Sequence, residues 1–194
     1  MLITMMTLDQ GAIRNRIEID ENLFEEIGRG DMSSLTSLYH KTDKAVFGFA
    51  LSLLKNKQDA EDVMQDTYIQ IAQHAKKYKP QGKPMAFIFT IVKNLSMDKL
   101  RKSKNTPENI DDHLNISGKD DYEHVEHRIL LDALLKTLTD EERQIVTLHA
   151  QTGFKHKEIS EILDIKLSTV LSKYKRAIEK LQKAQQVLIV KGGN

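Results

Sequence analysis

The chain is 194 residues long, carries 29 basic and 28 acidic side chains for a formal net charge of +1, and has no cysteine. That length allows one domain or two small ones that pool helices into a core, and the charge excludes a global field for gripping nucleic acid, so such contacts must come from local patches. Absent cysteine excludes disulfides, thiolate zinc sites and thiol redox sensing, and no apolar run approaches membrane-spanning length.

Few glycines, three prolines and abundant Leu, Ile, Lys, Glu and Gln predict an all-α protein. Residues 1–19 lack a strong period and the basic leader of a signal peptide, so an N-terminal extension on a cytoplasmic protein without membrane insertion is expected. A first helical domain is expected over 20–105. Leu23, Phe24 and Ile27 predict a short helix stopped by Gly28 and Gly30. Asp31 can then cap a long helix, whose stripe runs through Leu35, Leu38, Tyr39, Thr42, Val46, Phe49, Ala50 and Leu53.

Two more helical patterns follow between Asn56 and Asn105. In the first, Ala60, Val63, Met64, Thr67, Tyr68, Ile71 and Ala75 share one face, while Gln58, Glu61, Asp62, Gln65, Asp66, Gln70 and Gln73 make an acidic, polar one. Pro80 and Gly82 predict a turn, and Pro84 suits the first turn of the next helix. There Ile88, Ile91, Val92 and Leu95 form a buried stripe, with Phe87, Thr90, Asn94, Asp98 and Arg101 on another face. Lys76, Lys77, Lys79, Lys83, Lys93, Lys99, Arg101, Lys102 and Lys104 cluster here against a single nearby acid, Asp98.

Residues 106–121 are rich in turn formers and acids without helical period, and predict a flexible acidic linker. A second helical domain is expected over 122–186. Its helical signal returns through Val125, Ile129, Leu131, Leu134, Leu135 and Leu138, and Thr139 with Glu142 spells a capping box for a helix ending at Gly153. A short helix over Lys157 to Leu163, a tight turn at Asp164-Ile165 and a longer helix from Ser168 to about Ala184 make a helix-turn-helix layout. On that last helix Val170, Leu171, Tyr174, Ala177, Ile178 and Leu181 are expected inward, and Thr169, Ser172, Lys173 and Arg176 outward, where hydroxyls and cations reach bases and phosphates. Residues 187–194 are expected to be a tail.

Asp59-Ala60-Glu61-Asp62 with Gln65, then Ala86 to Asn94 and the Asp98 to Arg101 pair, resemble region two of the extracytoplasmic-function (ECF) sigma factors of bacterial RNA polymerase, with Phe87 where Trp is common. Lys157-Glu158-Ile159-Ser160 and Thr169 to Ala177 resemble region four, with Lys173 where Arg is common. The resemblance implies two helical domains, no enzymatic activity and no cofactor or metal. Its partners would be core polymerase, through the β′ clamp helices and the β flap, promoter DNA, and an anti-sigma factor.

The resemblance implies that the acidic helix, with Asp59, Glu61, Asp62, Gln65 and Asp66, docks on polymerase, and because acid cannot itself favour DNA, a protein partner is the physical assignment. Holding unpaired bases calls for ring faces, amides and cations. Tyr78, Lys83, Phe87, Phe89, Lys93, Asn94 and Arg101 are therefore the expected minus-ten and melting residues, with the loop from Tyr78 to Pro84 shaping the pocket by resemblance. Ser168, Thr169, Ser172, Lys173 and Arg176 are the expected minus-thirty-five contacts. Two rivals stand at this point. A conventional helix-turn-helix regulator leaves the aromatic and basic helix unexplained. A metal-dependent hydrolase would start from Glu123-His124-Val125-Glu126-His127, which lacks a matching helix elsewhere.

Overall fold

The computed structural model describes residues 16–104 and 133–192, with side chains to 103 and 186, and every regular element among them is helical. In chain order these are α1 (Asn22–Gly28), α2 (Met32–Leu54), α3 (Lys57–His74) ending in a 3-10 turn (Ala75–Lys77), α4 (Pro84–Lys104), α5 (Asp140–Thr152), α6 (His156–Leu163) and α7 (Leu167–Gly192). The expected linker, the Glu123-to-His127 group and most of the N-terminal extension lie outside the described residues.

Short-range chemistry sets the helix ends. Asp31 starts α2 by accepting from the Ser33 N–H at 2.8 Å, and Asn56 starts α3 by accepting from the Asp59 N–H at 3.0 Å. Thr139 and Glu142 close the capping box of α5, and Gly153 stops that helix in the left-handed region at φ 71°. Asp164 takes the left-handed position of the tight turn at φ 56°, as its short polar side chain allows. Ser160, facing that turn, donates to the Ile165 carbonyl at 2.6 Å and so ties α6 to the entry of α7.

α2 is the central plank, packed against α1, α3, α4 and α5. Phe24, Leu38, Phe49, Ile71, Ile88 and Phe89 are fully buried around it. Thr42 and the Tyr68 hydroxyl share a buried 2.7 Å hydrogen bond that locks α2 to α3; burial pushes the Tyr68 hydroxyl pKa well up. In the second domain, Leu134, Leu138, Val146, Ala177 and Leu181 form a core of their own.

The two domains meet along α2 and α4 on one side and α5 and α6 on the other. Phe89 of α4 lies between Phe49, 5.5 Å away, and Phe154, which meets it edge-on at 5.4 Å. Around this contact run ion pairs from Lys55 to Asp140 (3.0 Å), Lys83 to Glu161 (2.7 Å) and Arg16 to Glu158 (2.6 Å). A buried Phe contributes about 1.5–3 kcal/mol, whereas an exposed ion pair contributes about 0–1 kcal/mol. The aromatic contact therefore holds the joint, and the charges orient it.

Candidate nucleic-acid and partner interfaces

α4 presents its outward face much as its period predicts. Thr90, Asn94, Met97, Asp98 and Arg101 are exposed, and Lys93 is half-buried beside them. Arg101 pairs with Asp98 at 3.2 Å, both exposed, so the guanidinium is available to a stronger anion. The aromatics divide differently. Phe87 is half-buried, packed edge-on to Phe24 at 5.6 Å and tilted against Tyr78 at 4.9 Å. Tyr78 stacks on Phe24 at 4.2 Å and is half-buried. Phe89 is a correction: it is fully buried in the domain joint, so in this arrangement it offers no face to a base.

Lys83 is exposed at the end of the 78–83 loop, and its ammonium, hydrogen-bonded to Glu161, holds that carboxyl below the usual carboxylate range. The loop is pinned from outside. Glu21 accepts from the Tyr78 hydroxyl, from the Gln81 N–H at 3.1 Å, and from the Gly82 N–H at 3.1 Å to each carboxylate oxygen. Nothing in local periodicity announces this contact, because the partners lie 60 and 61 residues apart.

Over residues 167–176 of α7 the exposed residues are Leu167, Ser168, Leu171, Ser172, Lys175 and Arg176. Ser168, Ser172 and Arg176 thus stand where expected, but Thr169 is half-buried and Lys173 is half-buried against Glu141 of α5. Leu171 is the opposite correction: expected inward, it is 47% exposed, with Leu167 one turn earlier at 41%. The buried line runs Val170, Ala177, Leu181, and Leu171 lies one residue step, about 100°, beyond it. Tyr174 packs edge-on against the stacked rings of His149 and His156, 5.0 and 4.6 Å away, which sets the pitch of α7 on the other helices.

The acidic face of α3 is shared with α4. Lys99 bridges Asp59 at 2.9 Å and Asp62 at 2.7 Å. Partial burial opposes the charge on Lys99, but the two carboxylates hold its pKa above the ordinary lysine value. Glu61 lies 3.8 Å from Lys57, while Gln65 and Asp66 are exposed beside Ile69, itself 52% exposed. Among the described residues no group of His, Asp and Glu could hold a metal ion, and no helix is long and apolar enough to cross a membrane.

Comparison with known proteins places the chain in a family. The Sigma-70 region 2 family model matches residues 38–106 and the Sigma-70, region 4 model matches 128–181. The ECF RNA polymerase sigma factor SigK of Mycobacterium sp. (strain KMS) is 26% identical over 168 residues, spanning 82% of this chain and 87% of its own. SigK of Mycobacterium tuberculosis (strain ATCC 25177 / H37Ra) is 24% identical over 174 residues, spanning 85% and 92%. CnrH, solved in complex with the cytosolic domain of CnrY, superposes with a TM-score of 0.64 at 19% identity, over 87% of this chain and 97% of its own. The sigma factor RpoE of Bartonella quintana, solved with the anti-sigma factor NepR, gives 0.58 at 22%, over 78% and 96%. At those identities the solved structures speak for the fold. The chain belongs to the sigma-70 family and, within it, to the ECF sigma factors of RNA polymerase. It works with core polymerase and promoter DNA in promoter recognition and transcription initiation.

Proposed function

We propose a division of labour among the three surfaces. The α3 face of Asp59, Glu61, Asp62, Gln65 and Asp66 docks on the β′ clamp helices, while the second domain reaches the β flap. The outward face of α4, with Lys93, Asn94 and Arg101, takes the melted minus-ten strand, and the 78–83 loop with Tyr78, Lys83 and Phe87 holds an unpaired base. Ser168, Ser172 and Arg176 of α7 read the closed minus-thirty-five duplex. Thr169 and Lys173 support that helix from its flank. The domains correspond to residues 20–105 and 122–186, the protein carries out no bond chemistry of its own, and it acts in the cytoplasm, where its polymerase is. An anti-sigma factor is a further partner, by analogy with the complex of RpoE and NepR.

One observation carries this reading: acid and base segregate onto adjacent helices of one bundle, α3 and α4, so one domain faces a protein and a polyanion at once. Pull-down of core polymerase with run-off transcription on a promoter library tests it. Initiation at a defined set of start sites is expected; tight binding to a palindromic duplex without polymerase would instead establish a conventional regulator. On a promoter so selected, Asn94→Ala with Arg101→Ala is expected to leave polymerase binding unchanged and to remove most permanganate reactivity of the melted strand. Both side chains are exposed, so the fold is not at stake.

A further inference from the structure

We propose that Glu21 is a positioning residue that holds the 78–83 loop in the shape that receives an unpaired promoter base; the inference rests on the assignment of that loop just given. Between the 3-10 turn and α4 the loop has little backbone pairing to fix it. Tyr78 bonds back to Ala75 and Phe87 to Lys83, which leaves the tip to find partners elsewhere. At the tip, Gly82 sits in the left-handed region at φ 69°, and the consecutive N–H groups of Gln81 and Gly82 converge on one acceptor. Successive amides arranged in this way form a concavity suited to an anion. Glu21 fills it with both carboxylate oxygens and takes the Tyr78 hydroxyl as well.

Two features make this a brace and not a plug. Glu21 immediately precedes α1, and its carbonyl accepts from the Phe24 N–H at 3.1 Å. Phe24 is fully buried and stacks on the same Tyr78 that bonds Glu21, so ring and carboxylate grip the loop from one rigid base. The second feature is electrostatic. Lys76, Lys77, Lys79 and Lys83 make the surroundings cationic, as a nucleic-acid surface should be, and an acid there opposes DNA unless its charge is already taken up by donors. The Tyr78 hydroxyl bond, and after it the backbone amides, hold the Glu21 carboxyl below the usual carboxylate range against the opposing effect of burial. Glu21 is thus charged at neutral pH, and that charge is directed into the loop.

The test uses the full chain with core polymerase on a promoter selected by run-off transcription, together with amide hydrogen exchange on the free full chain. Glu21→Ala is expected to speed exchange at Gln81 and Gly82, to leave core polymerase binding unchanged, and to lower open-complex formation about tenfold, the scale expected when charge-assisted hydrogen bonds are removed. Glu21→Gln keeps one acceptor oxygen and is expected to recover part of both effects, which also covers a Glu21→Ala chain that fails to fold. Tyr78→Ala and Lys83→Ala serve as loop controls. If those controls leave permanganate reactivity intact, the loop assignment is wrong and the brace falls with it. If they lower reactivity while Glu21→Ala does not, or if exchange at Gln81 and Gly82 is unmoved, the positioning role is overturned. A rise in open complexes with Glu21→Ala also overturns it, because Glu21 would then obstruct the pocket.

Discussion

Glu21 and Tyr78 show how one hydrogen bond ties side-chain ionisation to backbone shape. The folded state lowers the Glu21 pKa, so the charged form is favoured on folding. Stability from this group is therefore fully present above the unfolded glutamate pKa and is lost as pH falls through the lowered folded value. Protection of the Gln81 and Gly82 amides is expected to persist through the ordinary glutamate titration range and to collapse only below it. Loss at ordinary glutamate pH, followed by hydrogen exchange or NMR, would count against the clamp. Burial, and then the Glu21 bond, push the Tyr78 hydroxyl pKa upward, so alkaline conditions leave the pair intact until far above neutrality. Phe87 also needs different handling at this scale: packed on Phe24 and Tyr78, it would leave a partial cavity as alanine. Melting is better tested at Asn94 and Arg101.

At the scale of the element, α7 mixes two kinds of outward side chain, and they should fail differently. Leu167 and Leu171 are apolar groups on a face that also carries Ser168, Ser172, Lys175 and Arg176. Apolar contact is suited to thymine methyl groups in the major groove, whereas cations meet phosphate. Leu171→Ser is expected to change base preference in the upstream element with little change in salt dependence. Arg176→Ala should weaken binding across sequences and reduce the salt slope by about 0.9 for each phosphate that is no longer neutralised. Binding curves of the polymerase holoenzyme over a salt series, on matched promoter variants, separate the two. How far α7 was legible follows from the same geometry. Asp31, Thr139, Glu142 and Asp164 act on neighbours a few residues away, so pattern alone locates the helix ends. Leu171 and Lys173 depend on which helix arrives beside them: Lys173 meets Glu141, whereas Leu171 is left about half exposed. Period places a residue on a helix but not the edge of the partner that covers it.

Across the whole molecule, the division into two helical units was legible from the turn-rich acidic stretch and the return of helical period, but the joint between them was not. Phe89 read as a minus-ten residue and Phe154 carried no signal of its own, and only the folded chain brings them together. Phe154→Ala is expected to loosen the joint while the Leu134, Leu138, Val146, Ala177 and Leu181 core stays folded. Small-angle scattering should then report a larger radius of gyration with an unchanged helical circular dichroism signal. An unchanged radius would mean that the ion pairs suffice.

Those pairs all have one polarity. Lys55 and Lys83 from the first unit, and Arg16 from the segment just before it, supply the cations, and Asp140, Glu161 and Glu158 supply the anions from the second. Nucleic acid is a competitor for the same cations. A lysine engaged with a phosphate has let go of Glu161, and by reciprocity anything that parts the units makes Lys83 a better phosphate ligand. Separation of the units and capture of promoter DNA would then be one equilibrium seen from two ends, with Lys83 as the side chain that changes hands.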